Sequence, residues 1–515
     1  MEAQPAPYCP ALVFIRGTIS ALVTAILAIV ILASAPAAAR ADQDAVRPSV
    51  VKIHTTQRLP DFFRPWTKSA PREISGTGFV IDGKRIITNA HVVGYASQIY
   101  VQPYQSAEKF AAKVIGIATP IDLAVLSVED ESFFSDRPAL TLDEGLPRIK
   151  AAVNVYGFPI GGDQISVTEG IASRVEYTGY YFGVSGLRIQ IDAALNPGNS
   201  GGPAISDGKV IGVAFSGLAA ADNIGYLIPA EEVRTFLADV QDGKYDGKPQ
   251  IWEEFQTIEN DALRAWLKVP KDLGGCMITR LRGDASANSL HTRDVVTRIG
   301  PHTLDRSGNV RLGDDLQVMF TYYVPQLTHD GKVPLTLLRD GATLDVEAPV
   351  AARRPRVIPR LDGGYPSYFI LGPLVFSTAS AELAGAIFSD ARYLAFLSGK
   401  KSPLVTRAND QPAFEGEELV LIPSPFFSNR ITKGYDSPAL HVLEKLNGVD
   451  IKNLAHLVEL VRDSTEEFLE FKFAETEVET LVFRRLDLIN ATEEILTDNG
   501  IRQQYSDGLG SVWKK

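Results

Sequence analysis

Between residues 49 and 238 the apolar residues come in short runs: Val50-Val51-Lys52-Ile53, Gly78-Phe79-Val80-Ile81, Arg85-Ile86-Ile87-Thr88, Ala124-Val125-Leu126, Val153-Asn154-Val155-Tyr156, Arg188-Ile189-Gln190-Ile191 and Val210-Ile211-Gly212-Val213. Runs of this length are too short to give a helix a buried face, but they suit strands of an antiparallel barrel or sandwich. Asp82-Gly83 and Asp207-Gly208 fall between them, and such dipeptides adopt the positive φ angles that tight hairpins demand. Only residues 230–240 read as a helix here, with Val233, Phe236, Leu237 and Val240 on one face.

One break among the runs is unlike the others. Asn196-Pro197-Gly198-Asn199-Ser200-Gly201-Gly202-Pro203 sets three glycines and two prolines around a serine. A serine hydroxyl is a poor nucleophile unless the backbone bends to expose it and to aim N–H donors at a developing oxyanion; flanking glycines allow that bend. An ordinary Gly/Pro turn with a solvated serine uses the same residues, so the reading depends on a base and an orienting acid elsewhere. Ile87-Thr88-Asn89-Ala90-His91-Val92-Val93 offers a histidine directly after a strand, and imidazole takes and returns protons near neutrality. Ile121-Asp122-Leu123-Ala124-Val125-Leu126 offers a carboxylate at the head of an apolar strand, where burial is costly without hydrogen bonds. Taken singly, a satisfied core histidine and a strand-edge aspartate facing water account for each. The order His91, Asp122, Ser200 is that of chymotrypsin-like β-barrel proteases rather than that of subtilisins or α/β-hydrolases.

Thr88-Asn89-Ala90-His91-Val92-Val93, Asp122-Leu123-Ala124-Val125-Leu126 and Gly198-Asn199-Ser200-Gly201-Gly202-Pro203 together resemble the three signature blocks of the HtrA/Deg serine proteases, in order and in spacing. One departure is Ala118-Thr119-Pro120, where the family often carries a further acidic residue. The resemblance implies that Ser200 attacks the scissile carbonyl, His91 is general base and then acid, and Asp122 orients it. The N–H groups of Gly198 and Ser200, with Asn199 shaping the turn, would form the oxyanion hole. Val213, Ala214, Phe215 and Ser216 would pair with the substrate backbone, and the uncharged Ala194 and Leu195 before the turn imply small or medium apolar P1 side chains. The family also implies a homotrimer or larger homo-oligomer, with residues 174–187 and 217–225 as loops that order the turn. Phe62, Phe63 and Trp66 suit either subunit packing or a local cap.

Residues 242–249, polar and glycine-rich, read as a linker. Beyond it come a helix at 261–268, a hairpin at Ile299-Gly300-Pro301 and a strand pair joined through Asp340-Gly341; then a second, looser unit with Asn447-Gly448 between strands and a helix at 454–461. These orders are similar to PDZ domains, and the extended last region looks like the enlarged second PDZ-like domain of plant Deg proteases. Gln250-Ile251-Trp252-Glu253 lacks the glycines of a carboxylate-binding loop, which puts capture of free C-termini by the first PDZ in doubt. The expected architecture is mainly β: a chymotrypsin-like double six-stranded barrel at 42–243, a PDZ domain at 248–352 and a divergent PDZ-like domain at 360–515.

Residues 1–41 combine Arg16, an apolar stretch from Ile19 to Ala33 and a small-residue end at Ala39-Arg40-Ala41, as a secretory signal does, with an uncleaved membrane anchor as the alternative. Export to the periplasm or another extracytoplasmic space follows. The only cysteines are Cys9 and Cys276, so a cleaved chain has no disulfide, and Cys276 reads as a small core residue. A net charge of −11 without a basic stripe argues against nucleic acid as a partner. Seven scattered histidines give no metal site, and no nucleotide loop or other cofactor motif occurs. The expected function is ATP-independent cleavage of unfolded or partly folded proteins in quality control. A catalytically quiet PDZ scaffold or holdase is the rival, and an acyl hydrolase with the same triad a third reading.

Overall fold

The computed structural model describes residues 45–180, 184–215, 224–282, 289–313 and 316–514. The expectations on residues 1–41, on most of 217–225 and on Ser216 therefore lie outside the described residues. Among the described residues, no helix is long and apolar enough to cross a membrane.

Two closed six-stranded barrels stand first. Strands β1 (Val50–Gln57), β2 (Arg72–Ile81), β3 (Arg85–Thr88), β4 (Ala96–Pro103), β5 (Phe110–Ala118) and β6 (Leu123–Val128) close in the order β1-β2-β3-β6-β5-β4. Strands β7 (Ala152–Gly157), β8 (Ser166–Gly179), β9 (Ser185–Ile191), β10 (Pro203–Ser206), β11 (Lys209–Phe215) and β12 (Gly225–Pro229) close as β10-β11-β12-β9-β8-β7. The expected turn chemistry holds: Asp207 and Gly208 both take positive φ in a two-residue hairpin that pairs Ser206 with Lys209. The first barrel fills with aliphatic side chains such as Ile53, Ile86 and Leu126, and a second cluster containing Phe79, Tyr156, Phe158 and Phe215 lies between the barrels. Between β3 and β4 a four-residue helix, α1 (Ala90–Val93), carries His91, and α2 (Ala230–Asp239) closes the second barrel with Val233 and Phe236 fully buried.

Residues 242–249 are not a free linker. Tyr245 is buried in the inter-barrel cluster, its ring 6.2 Å from Phe236, and Lys248 lies 2.9 Å from both carboxylate oxygens of Glu232 on α2. The polar composition hid this, because the segment is held by one aromatic and one ion pair.

A six-stranded sheet runs from the strand Glu254–Thr257 to the strand Ala342–Pro349, with helix α3 at Asp261–Trp266 and the expected hairpin pairing Ile299 with His302. Cys276 is buried there, and burial pushes its thiol pKa up, as suits a core residue. The last region holds a three-stranded and a four-stranded sheet around a shared core that includes Phe376, Leu457 and Phe471. Asn447 and Gly448, both at positive φ, make its tight hairpin.

This last region folds back on the first barrel. Phe62 packs against its helical cluster around Leu383 and Ile387, and Trp66 against a cluster with Tyr368 and Ile370, its ring 5.2 Å from Phe427. The β1–β2 loop aromatics therefore serve contacts within the chain, and Phe63 remains 40% exposed. Tyr365 donates its hydroxyl proton to the Arg58 carbonyl at 2.8 Å and meets the Tyr95 ring edge-on.

Candidate active site

His91 and Asp122 meet where the barrels face each other. Thr119-Pro120-Ile121 forms a single 3-10 turn that ends with Asp122 in the left-handed region at φ 56°, a conformation aspartate tolerates better than most residues. The proline-bearing stretch that departs from the family pattern is thus part of the turn that delivers the carboxylate. Asp122 Oδ2 lies 2.7 Å from His91 Nδ1, and Oδ1 accepts the His91 backbone N–H at 2.8 Å. Its main-chain carbonyl accepts from the Asn89 amide at 2.9 Å, and Gln57 Nε2 donates to the His91 carbonyl. The aspartate side chain is 6% exposed and the imidazole 48%, so the carboxylate is shielded while the ring faces the cleft. A cavity of about 1160 Å³ opens beside this pair, walled by Tyr95 and Phe215 and, from the last region, by Arg360 and Tyr365. Burial pushes the Tyr95 phenol up to about 12, with Glu382 adding to the shift, so it stays neutral there.

The serine turn can be read carbonyl by carbonyl. Asn196 O accepts from Asn199 N–H, Pro197 O from Ile160 N–H, Gly198 O from the Thr77 hydroxyl, Asn199 O from Gly202 N–H and Ser200 O from Thr77 N–H, all between 2.7 and 3.0 Å. Pro197 followed by Gly198 at φ 102° is the residue pair of a type II turn. In a trans peptide the N–H lies opposite the preceding C=O. With Pro197 O turned to Ile160 and Asn199 O to Gly202, the N–H groups of Gly198 and Ser200 point away from those partners, and that of Gly198 has no acceptor among the described residues. Glycine is required next to the serine: a Cβ on Gly201, at φ 86°, would lie 2.1 Å from Thr77 O and 2.3 Å from Thr88 Oγ1. These contacts set Ser200 beside the strand end that leads into His91. Asn199 is fully buried against Gly157, and its amide has no hydrogen-bond partner among the described residues.

The expected substrate strand needs correction. Ala214 donates to Gly202 O and accepts from Gly201 N–H, and Val213 lies between β10 and β12, opposite Pro203 and Ile228. Strand β11 is paired on both sides at these two residues, so no open strand edge is left there. Phe215 is buried, lies across from Tyr226 and has the Arg188 guanidinium 5.2 Å above its ring. Ala194 is exposed, and Leu195 packs where a Cβ on Gly225 would touch it at 2.8 Å. Thr77 and Gln57 hold this site and were missed by sequence reading, while Thr88 and Asn89, which hold it too, were read only as part of the histidine block. The one available signal was Gly76-Thr77-Gly78, a single hydroxyl between glycines in an apolar strand. Among the described residues no group of three or more His, Cys, Asp or Glu is placed to hold a metal.

Two six-stranded barrels with this cleft between them define a trypsin-like serine peptidase joined to a PDZ domain. Residues 76–213 match the trypsin-like peptidase domain family and residues 359–508 the PDZ domain family. Protease Do-like 2, chloroplastic, of Arabidopsis thaliana is 36% identical over 468 residues, covering 90% of this chain and 75% of that protein. Protease Do-like 4, mitochondrial, of the same plant is 35% identical over 437 residues, 84% of this chain and 80% of that protein. Among solved structures, the HtrA-type protease AlgW with tripeptide is 22% identical with a TM-score of 0.48, covering 61% of this chain and 97% of that one. The chain belongs to the Do-like (Deg/HtrA) serine proteases and is a serine endopeptidase.

Proposed function

We propose that Ser200, His91 and Asp122 act as a catalytic triad that cleaves unfolded or partly folded polypeptides without ATP. The observation that carries this reading is the carboxylate of Asp122 gripping both the ring and the backbone of His91, beside a serine turn whose carbonyls are all engaged. Bound this way, the imidazole keeps its Nδ1 proton toward the acid and leaves Nε2 to take the serine proton. Ser200 Oγ then forms the acyl-enzyme through a tetrahedral adduct whose oxyanion is received by the N–H groups of Gly198 and Ser200. His91 returns the proton to the leaving amine, and water repeats the sequence. The neutral Ala194 and Leu195 favour small or medium apolar P1 side chains, with Phe215 and Ser216 taking the substrate strand.

The same reading takes residues 42–243 as the protease unit, 248–352 and 360–515 as PDZ-like units, quality control as the setting, a homotrimer or larger homo-oligomer as the assembly, and residues 1–41 as the element that exports or anchors the chain. Casein digestion by the purified protein and by Ser200→Ala tests the chemistry. Cleavage lost only in Ser200→Ala supports the triad. Equal cleavage by both removes Ser200 from the mechanism, and no cleavage by either with any peptide activator favours the scaffold reading.

A further inference from the structure

We propose that Thr77 is a positioning residue that holds the oxyanion turn from the opposite barrel, an inference that rests on the assignment of Gly198 and Ser200 above. Thr77 lies on β2, is fully buried, and spends every polar group it has at the junction of the two barrels. Its hydroxyl donates to Gly198 O at 2.7 Å and accepts from Phe158 N–H at 2.9 Å. Its N–H donates to Ser200 O at 2.9 Å, and its carbonyl accepts from the Thr88 hydroxyl at 2.7 Å. One residue thereby touches the turn at both sides of Asn199, the end of β7 that leads to Ile160, and the strand that delivers His91.

The consequence for the turn is directional. Gly198 N–H lies opposite the Pro197 carbonyl, so its direction is kept by the donor that holds that carbonyl on the far side, Ile160 N–H. Thr77 fills the Gly198 carbonyl with its hydroxyl. The same hydroxyl accepts from Phe158 N–H, two residues before Ile160, whose own N–H holds the Pro197 carbonyl. A hydroxyl is required because it must donate and accept at once, which valine of the same shape cannot do. The methyl is in close contact as well, 3.2 Å from where a Cβ on Gly202 would stand. Lys52, paired across from Thr77 on β1, reaches over the same junction to Gly162 O at 2.9 Å and Asp163 at 2.8 Å, holding the loop that carries Ile160.

The test compares full-length parent, Thr77→Val and Thr77→Ser on a peptide amide, with active sites titrated so that misfolded protein is not counted. Thr77→Val is expected to lose about 10- to 100-fold in kcat with KM within about twofold, as for a misplaced oxyanion donor. A peptide boronic acid, whose tetrahedral adduct on serine occupies the oxyanion position, should bind Thr77→Val more weakly by the same factor. The same peptide sequence as an uncleaved ligand should bind Ser200→Ala and Ser200→Ala/Thr77→Val equally. Thr77→Ser, which keeps the hydroxyl, should stay within about threefold of the parent. Parent-like kcat in Thr77→Val, a loss confined to KM, or an equal loss in Thr77→Ser would each overturn the proposal. Failure of the underlying assignment reads differently: the parent itself would then form no boronate adduct at Ser200 by mass spectrometry.

Discussion

Replacing Asp122 by asparagine keeps the volume and removes the charge, and the local geometry sets how much activity should go. The carboxylate accepts two hydrogen bonds, from His91 N–H at 2.8 Å and at His91 Nδ1 at 2.7 Å. An asparagine has one oxygen for those two donors. If its oxygen keeps the backbone N–H, its NH₂ faces Nδ1, which must then become an acceptor, and the ring proton moves to Nε2 where the serine proton has to go. If the amide flips, the tautomer is correct but two buried donors face each other. Leaving those two groups unsatisfied costs roughly 2–6 kcal/mol together. At 1.36 kcal/mol per tenfold, the productive rotamer survives at between about 1 in 30 and a little below 1 in 10⁴. Titrated Asp122→Asn is therefore expected to lose between about 30- and 10⁴-fold in kcat on a peptide amide, the upper end being the cost of a wrong tautomer in triads generally. KM and the thermal midpoint should change little, because shape is kept. A kcat within about threefold of the parent would show that this carboxylate does not choose the tautomer, and the reasoning would fail.

Gly201→Ala should be inactive and destabilised by at least about 2 kcal/mol in urea unfolding, since positive φ and overlap with the Thr77 carbonyl act together; a folded, active variant would refute the contact. Lys52→Met should keep its fold and lose roughly tenfold in kcat at unchanged KM, because the ammonium that holds Gly162 O is gone; parent-like kcat would remove Lys52 from the junction. Glu231 accepts a hydrogen bond from Tyr322 at 2.8 Å, and burial holds its carboxyl above the usual range, with that hydrogen bond opposing and Glu232 adding to the rise. The folded protein keeps this proton to higher pH than the unfolded chain, so its contribution is full in acid and is lost as pH rises through the folded value. Thermal midpoints across the acidic-to-neutral range should thus fall less steeply in Glu231→Gln than in the parent, and parallel curves would contradict the assignment.

Much of the fold was readable because its strongest elements carry local signals. β1, β2, β3, β6, β7, β9 and β11 each contain an apolar run, and Asp207-Gly208 and Asn447-Gly448 announced their hairpins. β8 was not readable. Of its fourteen residues only Ala172 is buried within the barrel, while Val175 and Tyr177 lean on the neighbouring domain, so no period appears. His91, Asp122 and Ser200 stood out because each lies in a distinctive block. The residues that hold them did not, because their chemistry is long-range: Thr77 reaches Gly198 across 121 positions, and Lys52 reaches Asp163 across 111. The substrate strand was placed too early for a related reason. Nothing in Gly212-Val213-Ala214 tells that β10 and the serine turn occupy one edge and β12 the other.

The hydrogen bond from Tyr365 to the Arg58 carbonyl spans 307 residues. At a synthesis rate of about 5–20 residues per second, its two ends leave the ribosome roughly 15–60 s apart. Both barrels can close once the helix ending at Asp239 has emerged, but until the last region follows, Phe62 and Trp66 have no surface to lie on, and Tyr95, four residues beyond His91, lacks the ring that meets it. Birth order therefore gives the nascent enzyme a barrel whose histidine turn is finished last, by the later-made end of the chain, so a truncated product lacking that end would carry the His91, Asp122 and Ser200 blocks without the support around them.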